Sequence, residues 1–309
     1  MPDDLRHGPF SLERSRELGV TRRVLARQAV RVHPRVWCHR HHELTGADLV
    51  LAASLAMPES AHLTGITRLQ QLGLDYGPVT PIRFVIEGDH HLAIDGVFLH
   101  RTKKLPPLDE VGVTPAAAYL AFCAAARLID ALKVGDWLLH REHVTRRELL
   151  GLALAELWRP GAHEAVWCAE RLRDDARSLP ESEVAALLTY AGLPEPELNA
   201  PVDDDHRIIG DLVYRRWRTV VEYEGAQHQE DRVQYVRDLG RYGWMRENDV
   251  GYVQVTHEKL RQPRGVVGEV FRQLVRGGYD GPPPVFGDRW ASLFMRVSTI
   301  LGPRHHWQR

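Results

Sequence analysis

The sequence predicts a molecule in two parts: an α+β N-terminal region, followed by an α/β domain with a mixed central sheet. Three observations predict it. In the first hundred residues, short helical patterns alternate with paired strand patterns, at 30–37 and again at 82–86 with 96–101. Residues 111–177 read as helix after helix with capping signals between them. From Ser178 onward the order is helix, strand, strand with acids, helix, strand. That alternation builds a sheet covered by helices.

At 309 residues the chain has room for two domains or more. The order of helix and strand patterns divides the chain into 1–45, a small α/β part at 46–110, a helical connector at 111–177, the α/β domain at 178–278 and a tail at 279–309. A formal net charge of −1 excludes a global basic footprint, so nucleic-acid contact has to come from local patches. Cys38, Cys123 and Cys168 are scattered, which fits reduced thiols rather than a disulfide framework. Charges run through the first thirty residues, unlike a signal peptide. The longest apolar run, 114–126, is too short to span a bilayer. The expectation is a cytoplasmic protein without a membrane partner.

Residues 1–10 read as a loose end, and 11–17 as a polar stretch broken by Leu18-Gly19-Val20. Thr21 caps a short helix over 21–28. Val30, Val32, Val36 and Trp37 alternate with basic residues, as a strand pair would. Short helices followed by a basic hairpin suggest a winged helix-turn-helix. Arg22, Arg23 and Arg27 on the helix, with Arg31 and Arg35 on the hairpin, are then candidate DNA-phosphate contacts. The run Cys38-His39-Arg40-His41-His42 is too tightly spaced for a tetrahedral metal site and reads as a strand end with exposed histidines.

An amphipathic helix is expected over 47–56 and a second over 61–74, with Leu63, Ile66, Leu69 and Leu72 inward. The strands at 82–86 and 96–101 form a small sheet. Pro115 starts a helix running through 116–132. Thr145 and Glu148 form a capping box for a helix to about Leu157, and 163–173 is the last connector helix.

Ser178-Leu179-Pro180-Glu181 opens a helix that stops at Gly192 and Pro194. Ile208 to Tyr214 is an apolar strand carrying Asp211, and a charge there is expensive unless paired or bound to metal. The link 215–219 is short, so this strand and the next form a hairpin that brings Asp211 near Glu222. Glu222 and Glu224 lie two apart and share one face of their strand. Two carboxylates on one face repel unless a cation lies between them, and their oxygens suit Mg²⁺ or Mn²⁺. Gly225 permits a turn that returns His228 toward the acids. Residues 231–241 read as a helix with Arg232 and Arg237 available for phosphate, 251–256 as an alternating strand and 266–275 as a closing helix. Residues 286–309 hold one short helix and a tail.

Six pieces in order carry a family resemblance: Pro180-Glu181-Ser182, Ala191 to Pro194, Gly210-Asp211-Leu212, Val221 to His228, Asp231 to Asp238, and Gly251 to Thr256. Together they resemble a group of actinobacterial proteins whose C-terminal domain is similar to the very-short-patch-repair endonucleases, of the restriction-endonuclease-like PD-(D/E)XK superfamily. The likeness covers roughly 178–275. The N-terminal region resembles the winged helix of AbiEi-type antitoxins, a DNA reader. The superfamily pattern implies an acid on the first helix (Glu181), an Asp on the second strand (Asp211) and Glu-x-Lys on the third (Glu222), with Glu224 standing where the pattern has lysine. The expected function is a Mg²⁺- or Mn²⁺-dependent DNA endonuclease. Asp211 and Glu222 would hold the metal, with Glu181, Glu224 and His228 assisting. The alternative is a DNA-binding regulator, antitoxin-like, whose nuclease fold does not turn over.

Overall fold

The computed structural model describes residues 1–202, 209–224 and 243–302. It is a mixed α+β molecule of two compact units, Met1–Ala121 and Phe122–Arg309. In the first unit, β1 (Phe10–Ser11) leads into α1 (Leu12–Glu17), where Ser11 Oγ accepts from the Arg14 amide at 3.0 Å. Thr21 caps α2 (Arg22–Gln28), as its sequence position predicts. β2 (Ala29–His33) and β3 (Val36–His39) form the expected hairpin, and β1 pairs on the other side of β3, all antiparallel. The turn is Pro34-Arg35, with Arg35 at φ +64°, a position glycine or asparagine usually takes. The first ten residues are not a loose end. Leu5 and Phe10 are buried with Val20, Leu25 and Ala29. Leu5 and Phe10, with Met1 packed against the same cluster, anchor a segment that also carries Asp3, Asp4, Arg6 and His7.

α3 (Gly46–Ala56) begins at a Thr45–Asp48 capping box. The helix expected over 61–74 is divided. Ala61–Leu63 is β4, antiparallel to β5 (Ile82–Glu87), and α4 (Gly65–Gln71) starts only afterwards. Gly65 at φ +54° is the break, since a right-handed helix cannot run through that conformation. β6 (Val97–Thr102) pairs parallel with β5, completing the order β4-β5-β6. Ala53, Met57, Leu63, Ile82 and Phe84 form the core beside it. The buried Arg68 is satisfied by Asp109 at 2.7 Å and the Val113 carbonyl at 3.0 Å.

The single helix expected over 116–132 is two, α5 (Pro115–Cys123) and α6 (Leu128–His140). Arg127 is extended, and the amides of Leu128 and Ile129 donate to the carbonyls of Met295 and Leu293, both at 2.9 Å. No glycine or proline marks that break; a distant segment accepts the amides of the first turn. α7 (Arg146–Ala155) carries the predicted Thr145–Glu148 box, and α8 (Ala162–Ala169) ends earlier than the pattern suggests. α9 (Leu179–Tyr190) is capped by Ser178 and followed by Gly192 at φ +87°.

The second sheet has the order β10-β9-β8-β7: β7 (Glu197–Pro201), β8 (Ile209–Tyr214), β9 (Thr219–Glu224) and β10 (Gly251–Thr256). β7, β8 and β9 are successively antiparallel, while β10 runs parallel to β9. The β8–β9 hairpin matches expectation. β7 was not legible, because Pro194, Pro196 and Pro201 crowd it. It is the edge strand, where proline is tolerated. α10 (His257–Leu260) and α11 (Pro263–Arg276) follow, and α11 buries Val266, Val267, Val270 and Leu274. α9 and α11 pack on the sheet. Two helices, α12 (Asp288–Ser292) and α13 (Val297–Leu301), stand where one was expected. The helix expected over 231–241 lies outside the described residues. Among the described residues, no helix is long and apolar enough to cross a membrane.

Candidate functional site

Three candidate acids lie on β8 and β9 near Tyr223: Asp211, Glu222 and Glu224. On β9, Glu222 and Glu224 share one side, opposite Gln254 and Thr256 in the parallel register with β10. Glu222 is 7% exposed. Glu224 is half-buried, and its Oε1 accepts from the Tyr252 hydroxyl at 3.4 Å. The β8–β9 pairing runs from Tyr214↔Thr219 to Leu212↔Val221. One residue beyond Leu212, the Tyr223 amide donates to Asp211 Oδ2 at 2.9 Å. Asp211 is thus fixed beside the residue that separates the two glutamates. A hydrogen bond from a backbone amide holds a carboxylate in one orientation.

Glu181 is built into the helix start. Its Oε1 accepts from Ser178 Oγ at 2.8 Å, and its Oε2 accepts from the Arg177 amide at 3.0 Å and Asn199 Nδ2 at 2.7 Å. It ties the loop before α9, the helix itself and β7 together. Asn199, at φ +47°, also donates to the Asp175 carbonyl at 2.8 Å. Two residues further along α9, Glu183 forms an ion pair with the buried Lys133 of α6. Burial, then the carboxylates of Glu183 and Glu258, push the Tyr223 phenol above its usual range. Asn199 and Lys133 had no signal in the sequence: each acts through a partner on a distant element.

His228, Arg232 and Arg237 lie outside the described residues. In the first unit, Arg22, Arg23 and Arg27 lie exposed along α2, with Arg31 and Arg35 exposed on the β2–β3 hairpin. Among the described residues, none of these five guanidinium groups is held in an ion pair. Cys38 is fully buried in β3, and His42 Nε2 lies 3.0 Å from Asp48 Oδ2.

Asp211 and Glu222 fit a hard divalent cation in kind, as carboxylates of neighbouring strands. Among the described residues, no three Asp, Glu, His or Cys side chains form a group that could hold a metal ion. No family model matches this chain, and no curated protein matches it.

Proposed function

We propose that the C-terminal unit hydrolyses phosphodiester bonds of DNA, with Asp211 and Glu222 as the carboxylates that hold Mg²⁺ or Mn²⁺. The observation that carries the reading is Asp211 pinned at 2.9 Å by the amide of Tyr223, the residue between Glu222 and Glu224 on the neighbouring strand. The element order supports it. With β7 as the first strand, Asp211 falls on the second and Glu222 on the third, where the resemblance to restriction-endonuclease-like domains puts its acids. A bound divalent ion acidifies a water and neutralises charge on the phosphate. The Tyr223 amide holds Asp211 in one orientation, the Tyr252 hydroxyl steadies Glu224, and His228 is the candidate proton donor to the leaving oxygen. Glu181 contributes by holding α9 against β7.

Cutting of plasmid and linear DNA with Mg²⁺ or Mn²⁺ tests this, together with calorimetric titration of Mn²⁺. Glu222→Ala is expected to slow cutting roughly a hundredfold or more. Asp211→Asn is expected to remove metal binding while the circular dichroism stays native. A natural chain that neither binds Mn²⁺ nor cuts any DNA would sink the proposal.

A second reading, a DNA-binding regulator without turnover, is favoured by one observation: the five exposed arginines of α2 and the hairpin, none in an ion pair among the described residues. This is the electrostatic footprint of phosphate binding. It predicts that Glu222→Ala retains DNA as well as the natural chain.

A further inference from the structure

At the opposite end of β9 from the acids, the sheet carries a second feature. Thr219 and Glu224 are five residues apart, about 16 Å along a strand. Around Thr219 lies a cavity of about 350 Å³, within the range of small-molecule sites. Val202, Val213, Val220 and Val250 make it apolar on one part. Arg215, Arg218, Trp244 and Asn248 supply the remainder, with Thr219 and Tyr214, and no acid is among the described residues that line it. The two cations are set in place. Arg215 Nε lies 2.7 and 3.0 Å from the two oxygens of Glu197. Arg218, in the left-handed region at φ +47°, donates through Nη2 to the Asn248 carbonyl. The Tyr214 hydroxyl is buried without a hydrogen-bond partner among the described residues.

This combination is specific in chemical kind. An apolar wall with a half-buried indole takes a planar aromatic ring, because stacking on Trp tolerates any π face. Two guanidinium groups line the cavity; Arg215 gives its Nε to Glu197 and Arg218 its Nη2 to the Asn248 carbonyl, and their remaining N–H groups suit a phosphate. A primary amide such as Asn248 suits the edge of a base. We infer that this cavity binds a nucleotide unit, base against Trp244 and phosphate against Arg215 and Arg218. The unit is either a free mononucleotide or one nucleotide of a DNA strand. The site is distinct from the acids and does not depend on their holding metal.

Calorimetric titration of the full chain with AMP, dCMP, a twelve-residue single-stranded DNA and inorganic phosphate tests it. Saturable binding of a mononucleotide identifies a self-sufficient site. Binding of the oligonucleotide alone, at the same residues, identifies a strand subsite. Either supports the inference. Arg218→Ala and Trp244→Leu should each weaken binding at least tenfold, Trp244→Phe should largely preserve it, and Asp211→Asn should leave it unchanged. Loss with Asp211→Asn and not with Arg218→Ala would assign the binding to the acidic site and overturn the inference. So would inorganic phosphate binding as tightly as the nucleotide, or no binding of any nucleotide probe. Amide shift changes in the natural chain need no variant: Thr219, Val220, Asn248 and Val250 should move on titration, and their failure to move would overturn it equally.

Discussion

The two units handle charge in opposite ways. In the first, five arginines lie in solvent on one helix and one hairpin, and the buried Arg68 is matched at once by Asp109. In the second, acids are drawn inside: Asp136, Glu164, Glu181 and Glu222 are all nearly covered. Exposed charges cost little to fold and are screened by salt, so they serve contact with a charged partner. Buried carboxylates cost several kcal/mol each unless bonded, so they report either architecture or chemistry. The contrast separates a surface whose effects follow salt from an interior whose effects follow pH and substitution.

The largest effect is expected at Asp136, on α6. It accepts the Arg173 amide at 2.6 Å and a hydrogen bond from Ser182, while Arg173 itself forks to Asp175 and Glu195. Burial pushes the Asp136 carboxyl up from 3.8 to about 7, outweighing those bonds and the Arg173 charge. The folded chain therefore keeps a proton that the unfolded chain releases near pH 3.8. Stability from this group is complete below that pH and declines as pH rises toward 7, by up to about 4 kcal/mol at about 1.4 kcal/mol per unit. Urea unfolding from pH 4 to 8 should show the fall, and Asp136→Asn should flatten it. An unchanged slope in the variant would place the pH dependence elsewhere.

Glu181 comes next. Glu181→Ala leaves the Asn199 amide and the Arg177 N–H without their acceptor and weakens the start of α9, which should cost about 2–4 kcal/mol in urea unfolding. Mn²⁺ affinity of the folded variant should change little. Lost metal binding with full stability would instead make Glu181 a ligand and move it from architecture to chemistry. The smallest effect belongs to the surface. Removing Arg22 or Arg23 should lower the slope of log affinity for duplex DNA against log salt by about one each, alike for all sequences, with no loss of stability. Arginine variants that leave DNA retention untouched would break the contrast between the units.

The candidate site was legible only in part. Asp211, Glu222 and Glu224 stood out because charges inside β-branched runs are improbable without a use, and the hairpin that joins them follows from a short polar link. The role of Glu181 was half legible: its place in a first turn marks a cap, but its bond to Asn199 needs β7, and β7 was hidden among prolines. Lys133 and Asp136 were invisible, since on α6 they read as ordinary polar positions in a helix.

What the sequence by itself determined is local. Thr21, Thr45, Thr145 and Ser178 cap the helices they precede, and the alternation at 251–256 is the strand it predicts, because caps and periodicity act over a few residues of chain. What only the tertiary structure decided is where distant groups meet. Met295 and Leu293 accept the amides that start α6, the Tyr223 amide fixes Asp211, and the loop at Arg173 covers Asp136. Each is a hydrogen bond between segments far apart in sequence or in different elements. Its strength comes from removing both partners from water, which no neighbouring residue in the chain records.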